Sequence, residues 1–163
     1  MRCSFAGLTL LAAAAAAAQS EGFAGDYRHT MTARPDEAVW QVRARDGGWE
    51  LTTTGDGERV AAHRLEAAGR AAFWKAMQWP TDTSAGADCL SWGTRPRSLM
   101  DVLADEGEAP KESPAPGTDY GFGVLCRVDR AQRPRIDALA DQHGDWFFYD
   151  PVLGVTEAVR LRD

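Results

Sequence analysis

Cysteine offers this chain its most definite chemistry, and Cys3, Cys89 and Cys126 are its only thiols. Cys3 lies in the N-terminal stretch "MRCSFAGLTLLAAAAAAAQSEG", where one cation, Arg2, precedes an uncharged run of leucine and alanine. That is the pattern of a secretory signal peptide over residues 1–20, with Ala16 and Ala18, or Ala18 and Ser20, at the cleavage spacing. A retained membrane helix is the competing reading, but alanine is a weak hydrophobe and no cationic stop-transfer flank follows. A lipoprotein acceptor cysteine would follow the apolar run, whereas Cys3 precedes it, so Cys3 is expected to leave with the signal. Cys89 and Cys126 then remain, and an oxidising compartment would join them as one disulfide. Two buried free thiols acting as small hydrophobes are the alternative.

No other constellation reaches a recognised catalytic pattern. His29, His63 and His143 stand apart, without H-E-x-x-H or C-x-x-C spacing. Asp137, Asp141 and His143 share one stretch, yet no second motif closes a ligand shell, so a solvated face is the better reading and no metal is expected. Ser84, Ser91, Ser98 and Ser113 lack the G-x-S-x-G elbow of a nucleophilic serine. The G-x-G of "YGFGVLC" precedes a strand-like run, which removes the helix dipole that would hold a phosphate. Paired carboxylates occur by chance in any chain with 24 acids, so no catalytic residue is nominated and no cofactor is implied.

Around these residues the chain alternates between strand and turn. Trp40, Val42 and Ala44 share one parity and Arg43 and Arg45 the other, and Asp46-Gly47-Gly48 supplies a hairpin turn into Trp49 and Leu51. Strands are also expected around residues 26–33, 58–65, 89–92 and 122–129, with a final hairpin from Trp146 to Leu161 turning at Asp150-Pro151-Val152-Leu153-Gly154. Residues 66–78 read as a helix stopped by Pro80, with Gly69 as its weak point. Residues 96–105 permit a short helix, and residues 134–143 read as another, opened by Pro134 and closed by Gly144. Phe73, Trp74 and Trp79 would pack on the sheet, an exposed binding platform being the sharper alternative. The Pro-, Gly- and acid-rich residues 105–120 suggest a mobile loop. Hairpins that do not interleave with helices imply an α+β fold: residues 21–163 as one domain, an antiparallel sheet with two or three helices packed on it.

The net charge is −6, and loss of Arg2 with the signal makes it one unit more acidic. Acidity without an arginine block argues against nucleic acid as a partner. Lys75 and Lys111 are the only lysines beside many arginines and alanines, the bias of a GC-rich bacterial genome, which makes the periplasm the expected destination. Export, modest size, one disulfide and absent catalytic motifs together suggest a non-enzymatic periplasmic or secreted protein-binding module of the inhibitor or immunity type. Its partner would be a protein, favoured if cationic, such as a cell-wall hydrolase. No membrane anchor would remain after signal cleavage. A small envelope hydrolase using carboxylates or a histidine is one alternative, and a structural envelope component another.

Overall fold

The Asp46-Gly47 turn forms as its residues dictate: β2 (Trp40–Arg45) and β3 (Gly48–Thr53) pair in register from Arg45 opposite Gly48 to Trp40 opposite Thr53. Gly47 takes a φ of +81°, which a Cβ would resist. The computed structural model describes residues 22–31, 34, 36–95 and 115–161. Six further strands extend the hairpin: β1 (Gly25–His29), β4 (Arg59–Arg64), β5 (Ala87–Trp92), β6 (Gly123–Val128), β7 (Trp146–Asp150) and β8 (Gly154–Leu161). Each pairs antiparallel with its neighbour in chain order, and β8 returns to β1, with Tyr27 opposite Arg160 and Arg28 opposite Val159. The sheet is therefore a closed eight-stranded barrel.

This overturns the α+β expectation. The described residues contain one α-helix, α1 (Ala67–Ala76), rather than two or three on an open sheet. Closure depends on pairing strands from opposite ends of the chain, and no local pattern records it. The expected helix at 134–143 is instead two single 3₁₀ turns, Arg133–Arg135 and Asp137–Leu139. Between them Ile136 is extended, at φ −117° and ψ 102°, and is wholly buried. Burying that one side chain breaks the helical path. The expected signal at 1–20, the expected helix at 96–105 and the first part of the expected mobile loop, 105–114, lie outside the described residues. At the end of that loop, Gly117 and Tyr120 are buried, and the Gly117 carbonyl accepts a hydrogen bond from the Glu66 amide.

Two apolar cores share the sheet. Tyr27, Trp40, Val42, Trp49, Leu51, Ala62, Leu90, Trp92, Leu125, Trp146, Phe148 and Ala158 alternate inward and fill the barrel. Phe23 closes the end from which the chain enters, its ring 5.4 Å from Trp49 and 5.5 Å from Trp146. The second core lies outside β5, β6 and β7, where Cys89, Val124, Cys126, Val128 and Phe147 are covered by α1 and by Ile136 and Leu139. These strands are buried on both faces, which is why "VLCRV" and "WFFY" show little alternation. Elsewhere the exterior is polar: Asp26, Arg28, Arg43, Arg45, Glu50 and Arg59 point outward, with Arg43–Asp26 (2.6 Å) and Arg45–Glu50 (2.8 Å) joined across adjacent strands. A membrane barrel needs an apolar outer band and strands of about 9–11 residues. Here the exterior is charged and the strands are 5 to 8 residues long. Among the described residues no helix is long and apolar enough to cross a membrane.

Gly69 and the helix end show how α1 is held. The Trp79 amide reaches the Trp74 carbonyl (3.0 Å) and the Gln78 amide the Lys75 carbonyl (3.1 Å), a Schellman closure with Gln78 at φ +59°. That turn folds Trp79 back beside Phe147, ring centroids 5.5 Å apart. At Gly69 the chain crosses α1, and a Cβ would stand 2.3 Å from the Gly117 carbonyl oxygen. Alanine is the better helix former by about 1 kcal/mol. Gly69→Ala is nevertheless expected to destabilise by about 1–3 kcal/mol, since the obstacle is backbone rather than a side chain that can turn away. A raised urea midpoint in this variant would contradict the close crossing.

Candidate functional site

The turns joining β1 to β2, β3 to β4, β5 to β6 and β7 to β8 all lie at the end opposite Phe23. There the aromatic filling stops short and leaves a cavity of about 510 Å³. Strand alternation brings His29 from β1, Trp40 from β2, Leu51 and Thr53 from β3, Val60 from β4, Trp92 from β5, and Phe148 and Asp150 from β7 to its wall. Phe122, Glu58 and Leu153 line it from the connecting turns. Closed eight-stranded barrels have interiors just wide enough for side chains or one small ligand, and 300–1,000 Å³ is the usual range for ligand pockets.

The wall is aromatic. Trp40 and Phe148 pack at 4.2 Å between ring centroids, and Trp92 stacks on Phe148 at 5.7 Å. His29 stands edge-on to Trp40 at 4.3 Å, and its Nδ1 lies 3.2 Å from the Thr156 hydroxyl. Burial holds the His29 imidazole below its ordinary value, with the nearby Asp150 charge acting the other way. His29 is therefore neutral at neutral pH.

Asp150 is 8% exposed. Its Oδ1 accepts hydrogen bonds from the Val152 and Leu153 amides, both at 2.7 Å, which shape the β7–β8 turn. The rim nearby is apolar: Met31 is 68% exposed, Val152 62% and Leu153 51%. A second concavity, of about 630 Å³, is lined by Val159, Arg160 and Leu161 of β8 with Gly25, Asp145 and Trp146. Trp146 is the one aromatic residue in its lining, against Trp40, Trp92, Phe122 and Phe148 in the first.

The residues singled out from sequence lie mostly elsewhere. Cys89 and Cys126 form a disulfide as directly opposed residues of β5 and β6, both fully buried beneath α1. The bond suits an oxidising compartment outside the cytoplasm. Ser91 is buried as a tie: it accepts from the Gly121 amide (2.7 Å) and donates to the Gly123 carbonyl (3.0 Å). Ser84 donates to the Thr81 carbonyl, and Ser98 and Ser113 lie outside the described residues. The G-x-G glycines make room for Trp92, whose ring a Cβ on Gly123 would meet at 2.3 Å. Asp137, Asp141 and His143 are exposed, and among the described residues no group of three acids, histidines or cysteines is placed to hold a metal. Phe73, Trp74 and Trp79 pack on the sheet rather than forming an open platform.

Of the histidines only His29 reaches the cavity, while His63 faces outward from β4. No sequence argument joined His29 to Asp150. The signal was present in the parity of Trp40 and Phe148, but using it requires knowing that β1 and β7 flank the same strand.

His29 and His63 are both depressed by burial, so the unfolded chain takes up these protons first. Their effect is absent above the unfolded value of 6.5, and stability falls as pH drops below it. The Asp145 carboxyl, held down chiefly by its hydrogen bond from Arg133, is lost in a lower window, below the usual carboxylate range. Urea midpoints are expected to be lower at about pH 5.5 than at about pH 7.5, and His29→Gln with His63→Gln should flatten that difference. An unchanged pH slope in the double variant would show that other groups carry it. Comparison with known proteins finds no matching family model, curated relative or solved structure for this chain.

Proposed function

We propose that this chain is an exported, periplasmic binding protein that takes a small, largely apolar molecule into the mouth of its barrel. The observation that carries this reading is the cavity of about 510 Å³ between Trp40, Trp92 and Phe148, at the one end of the barrel that aromatic side chains leave unfilled. Burial against such rings supplies affinity, and His29 and Asp150 supply the few polar groups that orient a ligand. The disulfide and the signal-like N-terminus support export.

Titration of the mature chain with the neutral fluorophore N-phenyl-1-naphthylamine tests the reading. Saturable one-to-one binding is expected, and Val60→Trp, which fills the cavity from β4, should weaken it by about tenfold or more with the barrel intact. No saturable binding, or binding indifferent to that substitution, would remove the proposal.

A second reading keeps the inhibitor-type role, with a protein partner seated on the apolar rim of Met31, Val152 and Leu153. It is distinguished by capture of a partner from envelope extract that survives Val60→Trp but not Leu153→Asp. The His29–Asp150 proximity is the feature a hydrolase would use, and turnover abolished by His29→Gln would favour that alternative instead.

A further inference from the structure

We infer that the cavity selects an organic cation: an ammonium carried on an aromatic or apolar body. This rests on the reading of the barrel mouth as a small-molecule site and specifies its ligand.

The starting point is a carboxylate with one free oxygen that keeps an opening to solvent, since the one fully buried side-chain polar atom without a partner among the described residues is Arg28 Nε. Asp150 is almost wholly buried, and its Oδ1 already accepts two backbone hydrogen bonds. Among the described residues nothing hydrogen-bonds to Oδ2, and no salt bridge engages the carboxylate. Buried carboxylates are costly unless a cation or further donors compensate them. The described cavity lining contains no lysine or arginine. Its one basic group, His29, is kept neutral by burial. Arg95, which follows the lining residue Gly93, is engaged by Asp119 at 3.6 Å and by the Tyr120 ring at 4.4 Å.

The other walls favour the same sign of charge. Trp40, Trp92 and Phe148 line the cavity with aromatic rings, and any ring face open to a ligand attracts cations, most strongly in a desolvated site. Glu58 adds a second carboxylate at the rim. The net charge of −6 draws cations toward the mouth from a distance. A bound ammonium would pair with Asp150 while its apolar body lies against the rings. An anion would face an uncompensated carboxylate.

Four probes of similar size separate these possibilities in calorimetric titrations of the mature chain near neutral pH: 2-phenylethylamine, benzyltrimethylammonium, neutral 2-phenylethanol and anionic 3-phenylpropionate. Both cations are expected to bind about tenfold or more tightly than the alcohol, with the carboxylate weakest. Asp150→Asn should erase the preference by lowering cation affinity to about that of the alcohol, while the asparagine oxygen still accepts from the Val152 and Leu153 amides and so keeps the turn. An unshifted urea midpoint shows that the turn survives. Equal binding of amine and alcohol overturns the inference and leaves the apolar-ligand reading standing. A cation preference that persists in Asp150→Asn overturns the assignment to this carboxylate. Failure of these probes and of the neutral fluorophore to bind overturns both readings.

Discussion

Replacing both bridge residues, Cys89→Ala with Cys126→Ala, is expected to lower the unfolding free energy by about 4 kcal/mol. The figure follows from the separation of 37 residues between the joined positions. Without the link the unfolded chain regains the freedom of that loop, while the folded strands stay paired through their backbones. At the usual slopes for urea this moves the midpoint by about 2 M. The sulfurs of Cys89 and Cys126 are fully buried, so a chain lacking residues 1–20, and Cys3 with them, should resist alkylation when native and expose no thiol on unfolding without reductant. Unfolding with reductant should expose both. A midpoint indifferent to the double substitution, or two thiols titrated without reductant, would refute the bond as a stabilising link.

Phe73→Ala carries a comparable cost, about 3–5 kcal/mol, because it opens a cavity where the outer layer meets the barrel. Phe73 is wholly buried, with ring centroids 5.6 Å from Trp74, 5.7 Å from Trp79, 5.2 Å from Tyr120 and 5.2 Å from Tyr149. No other side chain on α1 touches as many rings. Phe73→Leu should recover much of the loss, since leucine restores volume though not the edge-to-face contacts. A loss below about 1 kcal/mol would mean that α1 is loosely docked. Phe73 and the disulfide belong to one cluster, so combining their substitutions should depart from additivity. An additive triple variant would argue that the two act independently.

The outer core explains why the sequence suggested an open sheet under helices. Residues 66–80 carry an aromatic surface that must be buried, and α1 does bury it on β5, β6 and β7. From the sequence that layer resembles half of an α+β fold. The inward set tells the other half: Tyr27, Trp40, Trp49, Trp92, Trp146 and Phe148 are wide residues that one sheet face and a single short helix could not cover together. They are covered because the sheet curls round and they meet one another. The last hairpin shows the same ambiguity. Val155, Val159 and Leu161 share a parity that looks like a core face, yet the buried residues are Thr156 and Ala158. Small residues on that parity give the large rings of neighbouring strands room inside a narrow barrel, opposite to what a hydrophobicity count suggests. The candidate site was hidden for a related reason, since His29, Trp40 and Asp150 come from three strands and carry no motif.

What the residues determined by themselves is local: the Asp46-Gly47 turn, the helix that ends before Pro80 and the strands flanking them. Such features follow from backbone conformational preference and from side chains a few positions apart, which act wherever the chain later goes. The tertiary structure alone decided that β8 lies beside β1, that the sheet has an inside, and that a buried carboxylate looks into an aromatic cavity. Those outcomes depend on filling one enclosed volume with side chains from all eight strands, a constraint that exists only once the ring is closed.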